Sequence, residues 1–124
     1  MAGERVLVVE DNDKNMKLFR DVLQATGYST LEATTGEQAI ELALSQAPAL
    51  VLMDVQLPGI DGVEALERMR QHERTASIPV LAVTAQAMSG DRERFLEAGF
   101  DGYLAKPVDL IELMEAVREH CSRE

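Results

Sequence analysis

Several things are scarce in this chain, and each scarcity excludes something. There is one cysteine, Cys121, so no internal disulfide can form, and its apolar helical neighbours suit packing better than chemistry. Basic residues number 12 against 22 acidic ones, a formal net charge of −10. Such a surface repels phosphate backbones and argues against direct nucleic-acid binding, while favouring a metal cation or a partner with a basic face. No apolar run approaches the roughly 20 residues of a membrane span. Residues Met1 to Arg5 carry no signal-peptide apolar segment, so a soluble, cytoplasmic protein without membrane contact is expected. No Gly-rich phosphate loop follows the first apolar run, which disfavours a nucleotide-binding protein of similar layering. Linkers, repeats and low-complexity stretches are also missing. With 124 residues, 46% of them hydrophobic, the chain reads as one domain spanning 1–124 with no attached output domain.

What is present is alternation. Val6–Val9, Leu50–Met53 and Val80–Val83 are continuous apolar runs of strand length, the pattern of central strands covered on both faces by helices. Two weaker strands are expected near Ser29–Ala33 and Gly102–Ala105. Between them apolar residues recur at helical spacing, as in Leu18, Phe19, Val22 and Leu23, or Leu110, Leu113, Met114 and Val117. Asp61 with Glu64, Asp109 with Glu112 and Thr35 with Gln38 have the spacing of reciprocal helix N-caps, and Gly27 and Gly99 stand where helices should stop. Five βα units with right-handed crossovers imply an α/β, doubly wound (βα)5 three-layer sandwich, flavodoxin-like, with parallel strand order 2-1-3-4-5.

Polar residues close the apolar runs. Glu10 and Asp11 follow the first, Asp54 the third strand, Thr84 the fourth and Lys106 the last. In an open parallel sheet these positions share the carboxyl edge, where ligands bind. Three carboxylates form a hard oxygen environment that selects magnesium, manganese or calcium over zinc, with magnesium the cellular default and manganese able to take its place. Without a cation they repel one another, and at least one should hold its proton to unusually high pH. Asp54, at the middle of the edge, is the candidate nucleophile for an aspartyl phosphate. Lys106 would pair with one phosphoryl oxygen and Thr84 would donate its hydroxyl to another. Taken singly, each residue has the ordinary explanation of a helix cap or a solvated strand end; taken together they point to a phosphoryl site.

These stretches, VLVVEDN at 6–12, LVLMDVQLPGIDG at 50–62, IPVLAVTA at 78–85 and DGYLAKP at 101–107, resemble the receiver domain of two-component response regulators over essentially the full chain. The finer likeness is to a single-domain regulator of cell division and to the receivers of hybrid kinases. The resemblance implies Glu10 and Asp11 as metal-binding acids, Asp54 as phosphoacceptor and the Gln56 carbonyl as a further metal ligand. It also implies Thr84 as switch hydroxyl, Tyr103 as switch aromatic and Lys106 as the phosphate-pairing lysine. The pair Glu10-Asp11, where the family commonly has two aspartates, leaves the charge unchanged. The family further implies a sensor histidine kinase or histidine phosphotransfer protein as donor. A downstream protein would be met through the face of the fourth helix, fifth strand and fifth helix, and Lys106-Pro107 would be a cis bond. The chain would take part catalytically only in its own phosphorylation and dephosphorylation.

Further expectations concern partners and lifetime. Met16 or Phe19, on a broad apolar stripe, could be partly exposed and, with Asn12 and Asn15, dock a histidine donor; a wide core contact is the favoured reading. Gln56 and Gln86, two residues beyond Asp54 and Thr84, could tune hydrolysis. An aspartyl-nucleophile phosphatase is the alternative from another class, but it normally carries a second acid at the position held here by Gln56. A contact-only module would not need the acids, Thr84 and Lys106 together. A stand-alone regulator is favoured over an excised hybrid-kinase receiver.

Overall fold

The computed structural model describes residues 4–85 and 91–121, with positions 91 and 92 described by backbone alone. The elements run β1 (Arg5–Val9), α1 (Asp13–Ala25), β2 (Ser29–Ala33), α2 (Gly36–Gln46), β3 (Leu50–Asp54), α3 (Gly62–Arg70), β4 (Val80–Thr84), α4 (Asp91–Ala98), β5 (Gly102–Ala105) and α5 (Leu110–Cys121). All strand pairs are parallel, in the order β2-β1-β3-β4-β5, as the alternation predicts.

Why the central strands are apolar throughout is visible in the two cores. Leu7, Val9, Val51, Met53, Val80 and Ala82 face one layer, with Ala39 and Ala43 of α2, Leu66 and Met69 of α3 and Phe95 of α4. Val6, Val8, Leu50, Leu52, Leu81 and Val83 face the other, with Phe19 and Leu23 of α1 and Leu113 and Val117 of α5. Successive strand residues point to opposite faces, so a strand buried on both must be apolar at every position.

The predicted helix signals are in place. Asn12, Thr35 and Asp61 cap α1, α2 and α3, accepting from the N–H groups of Asn15, Gln38 and Glu64. The Asp109 carboxylate accepts from Ile111 and Glu112 N–H at the start of α5. The reciprocal half at α2 is shifted by one residue: the Gln38 side chain accepts from Thr34 N–H at 2.8 Å rather than from Thr35. Gly27 and Gly99 follow α1 and α4 with φ of 101° and 114°, a region closed to most side chains. Ala47 ends α2 in the left-handed region without a glycine, a stop no local signal announced. Cys121 is free and buried, and burial pushes its thiol up to about 11, which suits the packing role expected of it.

Candidate functional site

Register decides what meets at the carboxyl edge. Val9 pairs with Met53 and Asp54 with Val83, so Glu10 and Asp54 leave neighbouring strands at nearly the same level. Thr84 pairs with Ala105, and Lys106 N–H donates to the Thr84 carbonyl at 2.8 Å, which carries the β4–β5 pairing one step past the strand end. Glu10 N–H likewise donates to the Ala33 carbonyl at 2.9 Å. Lys106-Pro107 is a cis peptide bond, as expected.

The predicted acids do converge. Glu10, Asp11 and Asp54 each present a carboxylate oxygen, and these oxygens lie within 4.8 Å of one another. Lys106 Nζ stands 2.9 Å from Glu10 Oε1 and 3.0 Å from Asp54 Oδ2. Backbone donors hold the remaining oxygens: Asn12 N–H reaches Glu10 Oε2 at 3.2 Å and Gln56 N–H reaches Asp54 Oδ1 at 3.0 Å. Glu10 is 1% and Asp54 4% exposed, while Asp11 is open to solvent. Thr84, fully buried, ends the neighbouring strand. The Gln56 side chain is exposed, and Gln86 lies outside the described residues.

Electrostatics make this arrangement uneasy. Burial pushes the Glu10 carboxyl up, the Lys106 ammonium pulls it back, the Asp54 charge pushes it up again, and the net position is above its ordinary value. Burial is thus the main reason that Glu10 holds its proton more tightly, and repulsion from Asp54 adds to it. Burial alone would lower Lys106, but its close pairing with Glu10 and Asp54 and their charges outweigh it and raise the ammonium above its usual value. Glu10 Oε1, although at ion-pair distance from Lys106, is buried without a hydrogen-bond donor among the described residues. This buried oxygen, not aligned with a donor, lies beside two further carboxylates. This hard donor set fits magnesium.

These observations match comparisons with known proteins. The response regulator receiver domain model matches residues 6–118. The chain belongs to that family. This receiver domain is 43% identical over 115 residues to the polar-differentiation response regulator DivK of Brucella ovis, covering 93% of this chain and 94% of that one. The receiver domain of sensor histidine kinase PA1611 from Pseudomonas aeruginosa PAO1, which has a magnesium ion coordinated in its active-site cleft, superposes with a TM-score of 0.90 at 37% identity, covering 98% and 100% of the two chains. The Francisella response regulator 1452 receiver domain gives 0.90 at 26% identity, covering 98% of each.

Two expectations need correction or extension. Met16 and Phe19 are buried, at 6% and 3% exposure, as a wide core contact requires, and the large apolar residue of α1 that is exposed is Leu18 at 42%. The reason is helical phase: Met16, Phe19 and Leu23 share the sheet-facing side, whereas Leu18 is turned about 200° from Met16 at about 100° per residue. Leu18 borders a groove of about 340 Å³ with Asn15, Phe19, Lys106, Pro107 and Val108. Tyr103 lies on the opposite face of the sheet from this groove, its ring stacked on Phe95 of α4 with centroids 5.6 Å apart and planes at 25°. Asn12, which the sequence reading did not place at the chemistry, supports Glu10 through its N–H. The sequence had marked it only within the stretch at 6–12 and as a docking residue beside Asn15.

Proposed function

We propose that this receiver domain is the phosphoacceptor of a two-component or phosphorelay pathway, with Asp54 as the residue phosphorylated. The observation that carries the reading is Lys106 bridging Asp54 and Glu10 inside a three-carboxylate cluster at the carboxyl edge. A carboxylate oxygen of Asp54 attacks the phosphorus of a phosphohistidine. The P–O bond forms as the P–N bond breaks, and the imidazole leaves with the electron pair and takes up a proton. Magnesium, held by Glu10, Asp11, Asp54 and the Gln56 carbonyl, supplies charge neutralisation when bound. Lys106 pairs with one phosphoryl oxygen and Thr84 donates its hydroxyl to another. Water then attacks the phosphorus of the acyl phosphate, the P–O bond to Asp54 breaks, and inorganic phosphate leaves with the Asp54 carboxylate restored.

The donor is a histidine kinase or histidine phosphotransfer protein. The groove beside Lys106, with Leu18 at its rim, suits a helical donor that must bring its histidine to Asp54. On phosphorylation Thr84 moves toward the new oxygens, and Tyr103, already stacked on Phe95, carries the change to the face of α4, β5 and α5. Exposed Leu96, Leu110, Ile111 and Met114 on those two helices suit a protein target. The likeness to DivK favours a stand-alone, cytoplasmic regulator acting in cell-cycle control. No helix among the described residues is long and apolar enough to cross a membrane.

Incubation with magnesium chloride and acetyl phosphate, read by intact mass, tests the reading. The wild type should gain one phosphoryl group and Asp54→Asn none. Equal gain by both proteins would refute it.

A further inference from the structure

The loop joining β3 to α3, residues 55–61, carries the Gln56 carbonyl, and the structure holds that loop from two sides. At its root, Gly62 N–H donates to the Val55 carbonyl at 2.9 Å. A Cβ on Gly62 would stand 2.5 Å from the Asp54 carbonyl oxygen and 2.8 Å from Val55 Cα, so the start of α3 presses directly on the end of β3. The far half of the loop leans on α2. A Cβ on Gly36, the first residue of α2, would lie 2.6 Å from Ile60 Cγ1 and 3.1 Å from both Ile60 Cδ1 and the Ile60 carbonyl oxygen. One residue earlier, Gly59 has φ of 75°, and the Glu37 carboxylate oxygens lie 3.2 and 3.3 Å from where its Cβ would be. Two consecutive loop residues therefore meet two consecutive residues of a capped helix start.

Gly36 has no positive φ to explain it, and glycine is an unfavourable helix residue. Its missing side chain is what Ile60 occupies. A methyl group placed 2.6 Å from Ile60 Cγ1 is far inside the ordinary carbon contact of about 3.5–4.0 Å, so one partner must give way. The helix is held by the Thr35 cap and by Gln38 on Thr34, so the Ile60 side chain and the loop carrying its carbonyl are what give way.

We infer that Ile60 seated on Gly36 is a latch through which α2 positions the β3–α3 loop, making Gly36 and Ile60 positioning residues for magnesium binding at Asp54 and Gln56. The inference rests on the function proposed above. Magnesium demands near-octahedral geometry and tolerates displaced ligands poorly, so a loop shifted at residue 60 is felt at residue 56. Groups that orient ligands without touching the ion commonly change affinity by about 10-fold or more.

Calorimetric titration with magnesium chloride, without phosphodonor, on wild type, Gly36→Ala, Ile60→Ala and the double variant tests this, with thermal melts of each metal-free protein alongside. Gly36→Ala should weaken magnesium binding about 5- to 10-fold while still melting cooperatively. In the Ile60→Ala background the same change should cost less than about twofold, because the side chain it collides with is gone. Unchanged affinity in Gly36→Ala, or an equal loss in both backgrounds, overturns the latch. Should Gly36→Ala not fold, Ile60→Ala alone decides, since it only removes the contact: weakened binding supports the latch and wild-type affinity overturns it. A wild type that binds no magnesium refutes the metal reading itself, and the latch with it. A wild type that binds normally beside an unaffected Gly36→Ala refutes the latch alone.

Discussion

Arg70 and Lys106 stand at opposite edges of the same sheet, and their surroundings differ in kind. The Arg70 guanidinium, at the end of α3, donates to the carbonyls of Ala76, Ile78 and Gly99 at 3.1, 2.7 and 3.2 Å and to Asp101 Oδ2 at 3.0 Å. Asp101 in turn accepts from Val80 N–H at 2.8 Å. The fork fills its acceptors, mostly backbone atoms, and ties the ends of α3 and α4 to the entries of β4 and β5. Lys106 is a single ammonium set against Glu10, Asp54 and the nearby Asp11. One cation cannot neutralise three anions, so this edge keeps a surplus of negative charge and an unaligned buried oxygen. One edge is closed as structure; the other keeps an unbalanced charge.

Substitutions at the two edges should separate these roles. The largest effect is expected from Asp54→Asn, which should abolish phosphoryl uptake altogether in the mass assay while preserving the fold. Lys106→Met should slow labelling by acetyl phosphate by about 100-fold, the scale seen when one charge-stabilising donor is lost. Time courses at saturating magnesium measure this. Arg70→Met should behave in the opposite sense: loss of about 2 kcal/mol in urea unfolding from the unpaired carbonyls and Asp101, with magnesium affinity unchanged. A slowing of labelling comparable to that of Lys106→Met would break the comparison.

The smallest effect concerns Glu10. Its carboxyl sits above the ordinary value of 4.5 in the folded state, so the folded protein binds this proton more tightly than the unfolded chain. The stability it contributes is full below 4.5 and lost as pH rises through the raised value. Lys106, also raised, contributes stability that is present below 10.5 and lost only as pH climbs through its still higher folded value, outside the neutral window. Metal-free Glu10→Gln should therefore be more stable than wild type at pH 7, with the gain fading toward pH 4, as thermal melts across pH would show.

Much of this was legible in one dimension because its causes are local or periodic. Strands covered on both faces must be apolar at each position, so Val6–Val9, Leu50–Met53 and Val80–Val83 announced a buried parallel sheet, and the polar residues ending them announced its functional edge. Caps at Thr35, Asp61 and Asp109 depend on residues three apart and were equally visible. Where the reading strayed, the cause was angular or distant. Met16 and Leu18 differ by two positions, and hydrophobicity alone did not say which of them turns to the sheet. Arg70 reaches Asp101 across 31 positions, and no local pattern links them. Gly36 resembles any glycine near a helix start until Ile60 is seen lying on it.

The sequence by itself determined the layering, the strand order and the gathering of Glu10, Asp11, Asp54, Thr84 and Lys106 at one edge, because two-residue and 3.6-residue periods follow from backbone geometry. Only the tertiary structure decided how that charge is shared: that Lys106 reaches Asp54 and Glu10 together, that Glu10 Oε1 is left buried without a donor, and that α2 bears on the loop carrying Gln56. Those outcomes depend on distances between segments far apart in the chain, which packing sets.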